Sequence, residues 1–275
     1  MSITLTASMR SNLSSLKVIQ SQMDKTQERL STGKKVNSAI DNASAYYQAR
    51  SLTNRAADLD SLLDSMGQGV QTIQAANEGI EAITAFVEQM KSIAESAAAL
   101  DTNATGYDDA IAKYAVQFDA VKSEIADVAK DASYQGVNLL IGNDLKVVFN
   151  ESRLNDLVVT GKNIVTEMAI KDAVGDEGWK SGVEKITGSI TEITTAVEKL
   201  RSFATELGNN FTIIETRQNF TEAMVDVLET GADKLVLADM NEESANYLAL
   251  QTRQQLAINS LALASQSAQS VLSLF

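Results

Sequence analysis

The residues of this chain best suited to chemistry are three pairs of neighbouring acids, Asp108/Asp109, Asp176/Glu177 and Glu242/Glu243. Paired carboxylates can share a proton in general acid–base work or hold a hard cation through their oxygens. Either use needs further groups converging on the pair, and the helical spacing around these acids supplies none. As solvated surface, or as negative charge at a helix start where the dipole favours it, they need no partners. There is no cysteine and no histidine. Disulfides, thiolate nucleophiles, Cys/His zinc sites and imidazole catalysis are therefore excluded. Gly33-Lys34-Lys35 lacks the second spaced glycine and the Ser/Thr of a phosphate loop, and reads as a helix stop followed by a linker. Asn-x-Ser/Thr occurs at Asn12, Asn42, Asn103, Asn150, Asn210 and Asn219, a coincidence in a chain so rich in these residues. No catalytic, cofactor-binding or metal site is expected, and the chain is not read as an enzyme.

What does recur is an apolar seam. From Val183 to Leu235 an apolar or small residue returns at alternating steps of three and four: Val183, Ile186, Ile190, Ile193, Val197, Leu200, Ala204, Leu207, Phe211, Ile214, then Val225, Leu228, Ala232 and Leu235. Polar Gln218 and Thr221 interrupt it. That alternation is the seam of a helix packed along another helix. A helix of this length spans roughly 75–80 Å, and a chain without proline contains nothing that must break it.

Four more helical stretches share the spacing. The first carries Leu5, Met9, Asn12, Leu16, Ile19, Met23, Thr26 and Leu30 and ends near Gly33. The second runs from about Ser44 past Leu100, with Met66, Val70, Ile73, Ala76, Ile80, Ile83, Val87, Met90, Ala94 and Ala97 on its stripe. The third is marked by Tyr107, Ile111, Tyr114, Phe118, Val121, Ile125 and Val128. The last covers Glu242 to Phe275, with Leu250, Gln254, Ala257, Leu261, Ala264, Ala268, Val271 and Phe275 in step. Only residues 134–182 break the pattern; their glycines and the Val-rich runs 145–149 and 156–160 predict a small β-hairpin with loops.

The fold class expected is mostly α: a coiled-coil-like helical rod built from both chain ends, with a small β-hairpin region mid-chain. A terminal helical domain of residues 1–45 plus 237–275 and a rod domain of 46–236 follow from the turn positions. Composition agrees, since 44% hydrophobic with only 5% aromatic residues suits thin helical seams better than a thick globular core.

Charge is uneven along the chain. The net charge of −13 argues against nucleic acid and anionic membrane as partners. Residues 1–46 carry +3 and residues 244–275 only Arg253, which leaves the acidic surplus to the interior. Nearly uncharged ends with Asn12, Thr26, Gln254 and Ala264 at seam positions suit two readings equally: helices ordered by neighbouring copies, or an ordinary amphipathic pair docked on its own domain. The first twenty residues show no apolar leader core or cleavage motif, so export without a cleavable signal is expected. No stretch approaches the apolar length of a membrane span.

At this point particular strings become informative. Leu30-Ser31-Thr32-Gly33-Lys34-Lys35-Val36-Asn37-Ser38-Ala39-Ile40-Asp41-Asn42-Ala43 resembles the N-terminal signature of bacterial flagellins. Gln269-Ser270-Val271-Leu272-Ser273-Leu274-Phe275 resembles their C-terminal ending, and Ser133-Tyr134-Gln135-Gly136-Val137-Asn138-Leu139-Leu140 the turn after their third helix. Leu200-Arg201-Ser202 is similar to part of the returning helix, although the residues after it depart from the family pattern. The resemblance covers roughly 1–140 and 195–275, and the pattern and shortness look like the short flagellins of alphaproteobacteria, which lack large outer domains.

The resemblance implies a structural subunit of the flagellar filament that self-assembles through its terminal helices into a helical tubular propeller for swimming. Leu5, Met9, Leu16, Ile19, Met23, Leu30, Leu250, Ala257, Leu261, Ala264, Ala268, Val271 and Phe275 would carry that assembly, and Gly33, Asn37, Ser38 and Asp41 would form the domain linker. It also implies an export chaperone on the C-terminal helix, the flagellar secretion apparatus, and filament cap and hook-junction proteins as partners, with the product extracellular. Gln89, Met90, Lys91 and Ser92 fall in the segment that an innate Toll-like receptor reads in detected members; Gln89 replaces an arginine and Ser92 a glutamate, so recognition should be weak. Thr102, Thr105, Ser152, Thr160 and Ser181 are candidate O-glycosylation acceptors by location. A hook–filament junction protein of the same family is the nearest alternative. From other classes, a lysine-faced lipid-surface protein and a cation-dependent hydrolase fit the acidic interior and the unconverged acids poorly.

Overall fold

The computed structural model describes residues 7–175 and 178–272. Within them the order is α1 (Ala7–Thr32), α2 (Ala43–Ala98), α3 (Tyr107–Asp131), β1 (Leu145–Val148), β2 (Asp156–Val159), α4 (Ile164–Met168), a 3-10 turn at Trp179–Ser181, α5 (Val183–Val236) and α6 (Met240–Leu272). The architecture is mostly α with one antiparallel pair of strands, in the order the periodicity predicts. The second helix covers its whole apolar stripe but stops at Ala98, short of the expected end past Leu100. Beyond it Asp101 accepts a hydrogen bond from the Asn103 backbone N–H at 2.9 Å, a local turn that competes with helix. The acid pair Asp176/Glu177 lies outside the described residues.

Two compact units make up the chain, one of residues 1–56 and 226–275, the other of 57–225. The second has a single core in which the predicted stripes of three helices meet. Met66, Ile73, Ile80, Ile83, Val87 and Met90 of α2, Ile111, Phe118 and Ile125 of α3, and Ile186, Ile193, Leu200, Leu207 and Ile214 of α5 are all buried in it. Along α5 those residues recur every seven, and the intervening Ile190, Val197, Ala204 and Phe211 are half-buried. This is the graded burial expected of the two flanks of one seam.

The β-hairpin pairs Leu145 with Val159 and Val148 with Asp156, and sets Val147 and Val159 into the core. It approaches α2 at Gly69, where a Cβ would sit 2.8 Å from Val147 Cγ2. Before it, the chain turns back at Gln135 and Gly136, both at positive φ, with Tyr134 and Val137 exchanging backbone hydrogen bonds of 2.9 Å. That is a two-residue hairpin turn of the kind that needs two left-handed residues. Asn138 closes the end of α3: its buried side chain donates to the Ala129 and Lys130 carbonyls and accepts from the Leu140 N–H.

Two short elements in 134–182 were not foreseen. The periodicity of a helix cannot register in the five residues of α4, whose buried Ile164 and Met168 are spaced four apart. The 3-10 turn buries the lone tryptophan, Trp179, with its ring 4.8 Å from that of Phe118 and its Nε1–H donated to Ser189 Oγ at 3.0 Å.

Candidate assembly surface

In the unit formed by the chain ends, α1 and α6 pack along one another. Arg29 Nη1 donates to Glu243 Oε1 at 2.8 Å, and Gln254 Nε2 to Gln20 Oε1 at 2.6 Å. Rising numbers on one helix thus meet falling numbers on the other, so the pair is antiparallel. In this register Met23 lies level with Leu250, Leu16 with Ala257, and Met9 with Ala264. Met9, Met23 and Thr26 are buried, as is Leu250; Asn12, Leu16, Ile19, Leu30, Gln254, Ala257, Leu261 and Ala264 are half-buried. The spacing-derived seam residues that are described therefore all line the inner side of this hairpin. Leu5 and Phe275, and the side chains of Ala268 and Val271, lie outside the described residues.

The polar seam positions have specific partners. Gln254 bonds to Gln20, so an amide in the stripe is paired across it rather than waiting on another molecule. Glu243 corrects the reading of its acid pair as solvated surface: it is 8% exposed and held by Arg29, whereas Glu242 is exposed. Asp239 starts α6 by accepting from the Asn241 and Glu242 backbone N–H groups, an N-cap that puts the acids in the first turn. Asp108 and Asp109 are exposed in the first turn of α3. Among the described residues no three acids are grouped so as to hold a metal ion.

The outer side is apolar to an unusual degree for a helix with so little charge. Leu256 is 63% exposed and Leu263 66%, with Leu248 exposed on the same face, Ile258 exposed elsewhere on the helix, and Leu13 and Val18 exposed on α1. Exposed apolar residues scattered singly are ordinary, but here they follow one helix.

The signature string is a built linker. Gly33 takes φ +71 and donates its N–H to Arg29 O at 2.8 Å, ending α1 in the left-handed conformation that glycine adopts without strain. The Asn37 and Ser38 N–H groups and the Ser38 hydroxyl all donate to Asp41 Oδ2, at 3.2, 3.1 and 3.2 Å. Lys25 Nζ lies 3.4 Å from Asp41 Oδ1. The Ser38 N–H is the largest influence holding the Asp41 carboxyl below its ordinary range, with Asn37 and Lys25 adding to it against partial desolvation. Asn42 then caps α2 by accepting from the Ala45 N–H. The returning linker pairs with this one: the Lys35 and Val36 N–H groups donate to Val236 O, and that of Ala238 to Gly33 O. Lys35 Nζ also reaches the Lys234 carbonyl at the end of α5. Ile40, at the linker tip, is 96% exposed.

Of the receptor-like segment, Met90 is buried in the core of the other unit and Gln89, Lys91 and Ser92 are exposed. Thr102, Thr105, Ser152, Thr160 and Ser181 are all exposed. What the spacing could not supply were the cross-chain pairs Arg29–Glu243, Gln20–Gln254 and Lys25–Asp41.

The two ends of this chain meet in one antiparallel helical hairpin, and both end regions match known sequence families. Residues 3–144 match the family model of the bacterial flagellin N-terminal helical region, and residues 190–275 that of the C-terminal helical region. The chain belongs to the bacterial flagellin family, whose members are structural proteins of the flagellar filament and not enzymes. Among its relatives, flagellin FljM of Caulobacter vibrioides is 30% identical over 96% of this chain and 94% of its own. A flagellin of Brucella melitensis is 31% identical over 98% of this chain and 99% of its own. A crystal structure of Bacillus cereus flagellin matches 56% of this chain and 86% of that chain at 14% identity, with a TM-score of 0.47.

Proposed function

We propose that this chain is a filament subunit, exported through the flagellar secretion channel and polymerised through its terminal helices. The observation that carries this is the outer side of α6: exposed Leu248, Leu256 and Leu263 on a helix whose only charge from residue 244 to its end is Arg253. Such a surface is an aggregation hazard for a lone chain and a natural packing face for neighbouring copies. Residues 1–45 with 237–275 form the filament core in this reading. Contacts between copies are head-to-tail and never close, so the polymer is an open helix. Before export the same apolar stripe is the grip for a chaperone.

Seeded polymerisation of the purified protein, viewed by negative-stain electron microscopy, tests this beside a version lacking residues 1–40 and 240–275. Filaments should form from the full chain alone. If neither version polymerises and both stay monomeric, the hook–filament junction reading replaces this one. If the shortened chain polymerises equally well, the terminal helices are not what drives assembly.

A further inference from the structure

Beside the α1–α6 seam is a cleft of about 320 Å³ whose lining includes Gln22, Lys25, Arg29, Glu243, Asn246 and Arg253. Three cations thus face one acid across a small space. Lys25 is engaged with Asp41 and Arg29 with Glu243, but Arg253 forms no ion pair or hydrogen bond among the described residues. Arg29 adds a second unmet demand, since its Nε is buried without an acceptor. A buried donor without a partner carries a desolvation penalty, and gathered like charges repel each other. The repulsion is relieved by an oxyanion in the cleft.

The position of Arg253 sharpens this. It flanks the inner seam, between Leu250 and Gln254, on a helix stretch otherwise free of charge. If α6 is buried against neighbouring copies, as the proposed function has it, a lone guanidinium there would be taken out of water. Burying a charge without a partner is among the most unfavourable events in packing. A guanidinium that shares its cleft with two amides, Gln22 and Asn246, is suited to a planar carboxylate. The chain itself is rich in such groups, with 36 acidic against 23 basic residues.

We infer that this cleft receives an exposed carboxylate from a second copy of the chain, paired with Arg253, and that this ion pair fixes the lateral register of the terminal helices in the polymer. The inference rests on the assembly reading, and its test separates the two. The critical concentration for seeded polymerisation is measured for the unaltered chain and for Arg253→Met, Arg253→Glu and Arg253→Lys, with thermal unfolding of each monomer as the control. The Met and Glu variants should melt as the unaltered monomer does yet need roughly tenfold or more protein to polymerise. The Lys variant should recover part of the loss.

Zero-length carbodiimide coupling of Arg253→Lys filaments, followed by peptide mass spectrometry, should join position 253 to an Asp or Glu of another copy. Equal critical concentrations for the unaltered chain and the Met variant overturn the inference. Filaments of the Lys variant without an intermolecular link at position 253 also overturn it, pointing to a free anion in the cleft. Failure of the unaltered chain to polymerise overturns the assembly reading instead, and this inference with it.

Discussion

Asp41 shows how one carboxylate can order a stretch of chain that belongs to neither neighbouring helix. Three donors converge on Oδ2 and Lys25 stands at Oδ1, so the ionised form is the one the fold prefers. The sign of the pH effect follows: a carboxyl whose folded pKa is depressed contributes stability above its ordinary value of 3.8, and that contribution is lost as pH falls through the lower folded value. An NMR titration should place the Asp41 carboxyl below 3.8. At neutral pH, Asp41→Asn should speed tryptic cleavage at Lys34-Lys35, and unchanged cleavage would show that the backbone pairing with Val236 and Ala238 holds the linker alone. Gly79 is a second residue-scale device. Alanine there would improve helix propensity by about 1 kcal/mol. Its Cβ, however, would meet Leu140 Cδ1 at 2.6 Å and Ala132 Cβ at 2.7 Å. Leu140 can turn aside but Ala132 has no rotamer to change, so Gly79→Ala should destabilise by about 1–2 kcal/mol in urea unfolding. A gain in stability would mean that α2 shifts freely. A glycine inside a helical stripe announces a close neighbour in the sequence, but not which one.

At the scale of elements, α1 and α6 separate inner from outer leucines, and the two sides have different consequences. Leu250 is buried in the seam, so Leu250→Ala should cost about 2–3 kcal/mol and loosen amide-exchange protection along α6 in the monomer. Leu256 is 63% exposed, so Leu256→Ala should leave the monomer unchanged within about 0.5 kcal/mol and raise the critical concentration for polymerisation several-fold. Equal monomer effects from both would show that the outer side packs within the chain itself. The five long helices and the hairpin were legible because each repeats its period many times: α5 was expected from Val183 to Leu235 and runs Val183–Val236. The hairpin strands fall within the two Val-rich runs. Helix α4 and the Trp179 turn were not legible, since elements of five and three residues hold too little repetition to signal a period.

For the molecule as a whole, charge is what one copy shows another. At −13 per chain, like-charged copies repel, and the repulsion is screened over about 10 Å in 0.1 M salt. Raising ionic strength from low values should therefore lower the critical concentration for polymerisation, as turbidity against salt would record; an increase would mean that attraction between charges dominates assembly. The amino-acid order was enough to give the mostly helical class, the inner face of each long helix and the family, because a helical seam is a one-dimensional pattern and the terminal strings are local. Folding in three dimensions settled what lies across the seam. Arg29 and Glu243 are 214 residues apart, and Gln20 and Gln254 are 234 apart. The antiparallel register that joins them depends on how both helices and their linkers pack at once. No local spacing encodes that register, so the sequence could mark Glu243 as acidic and Leu256 as apolar, but not that the first would be buried and the second left facing water.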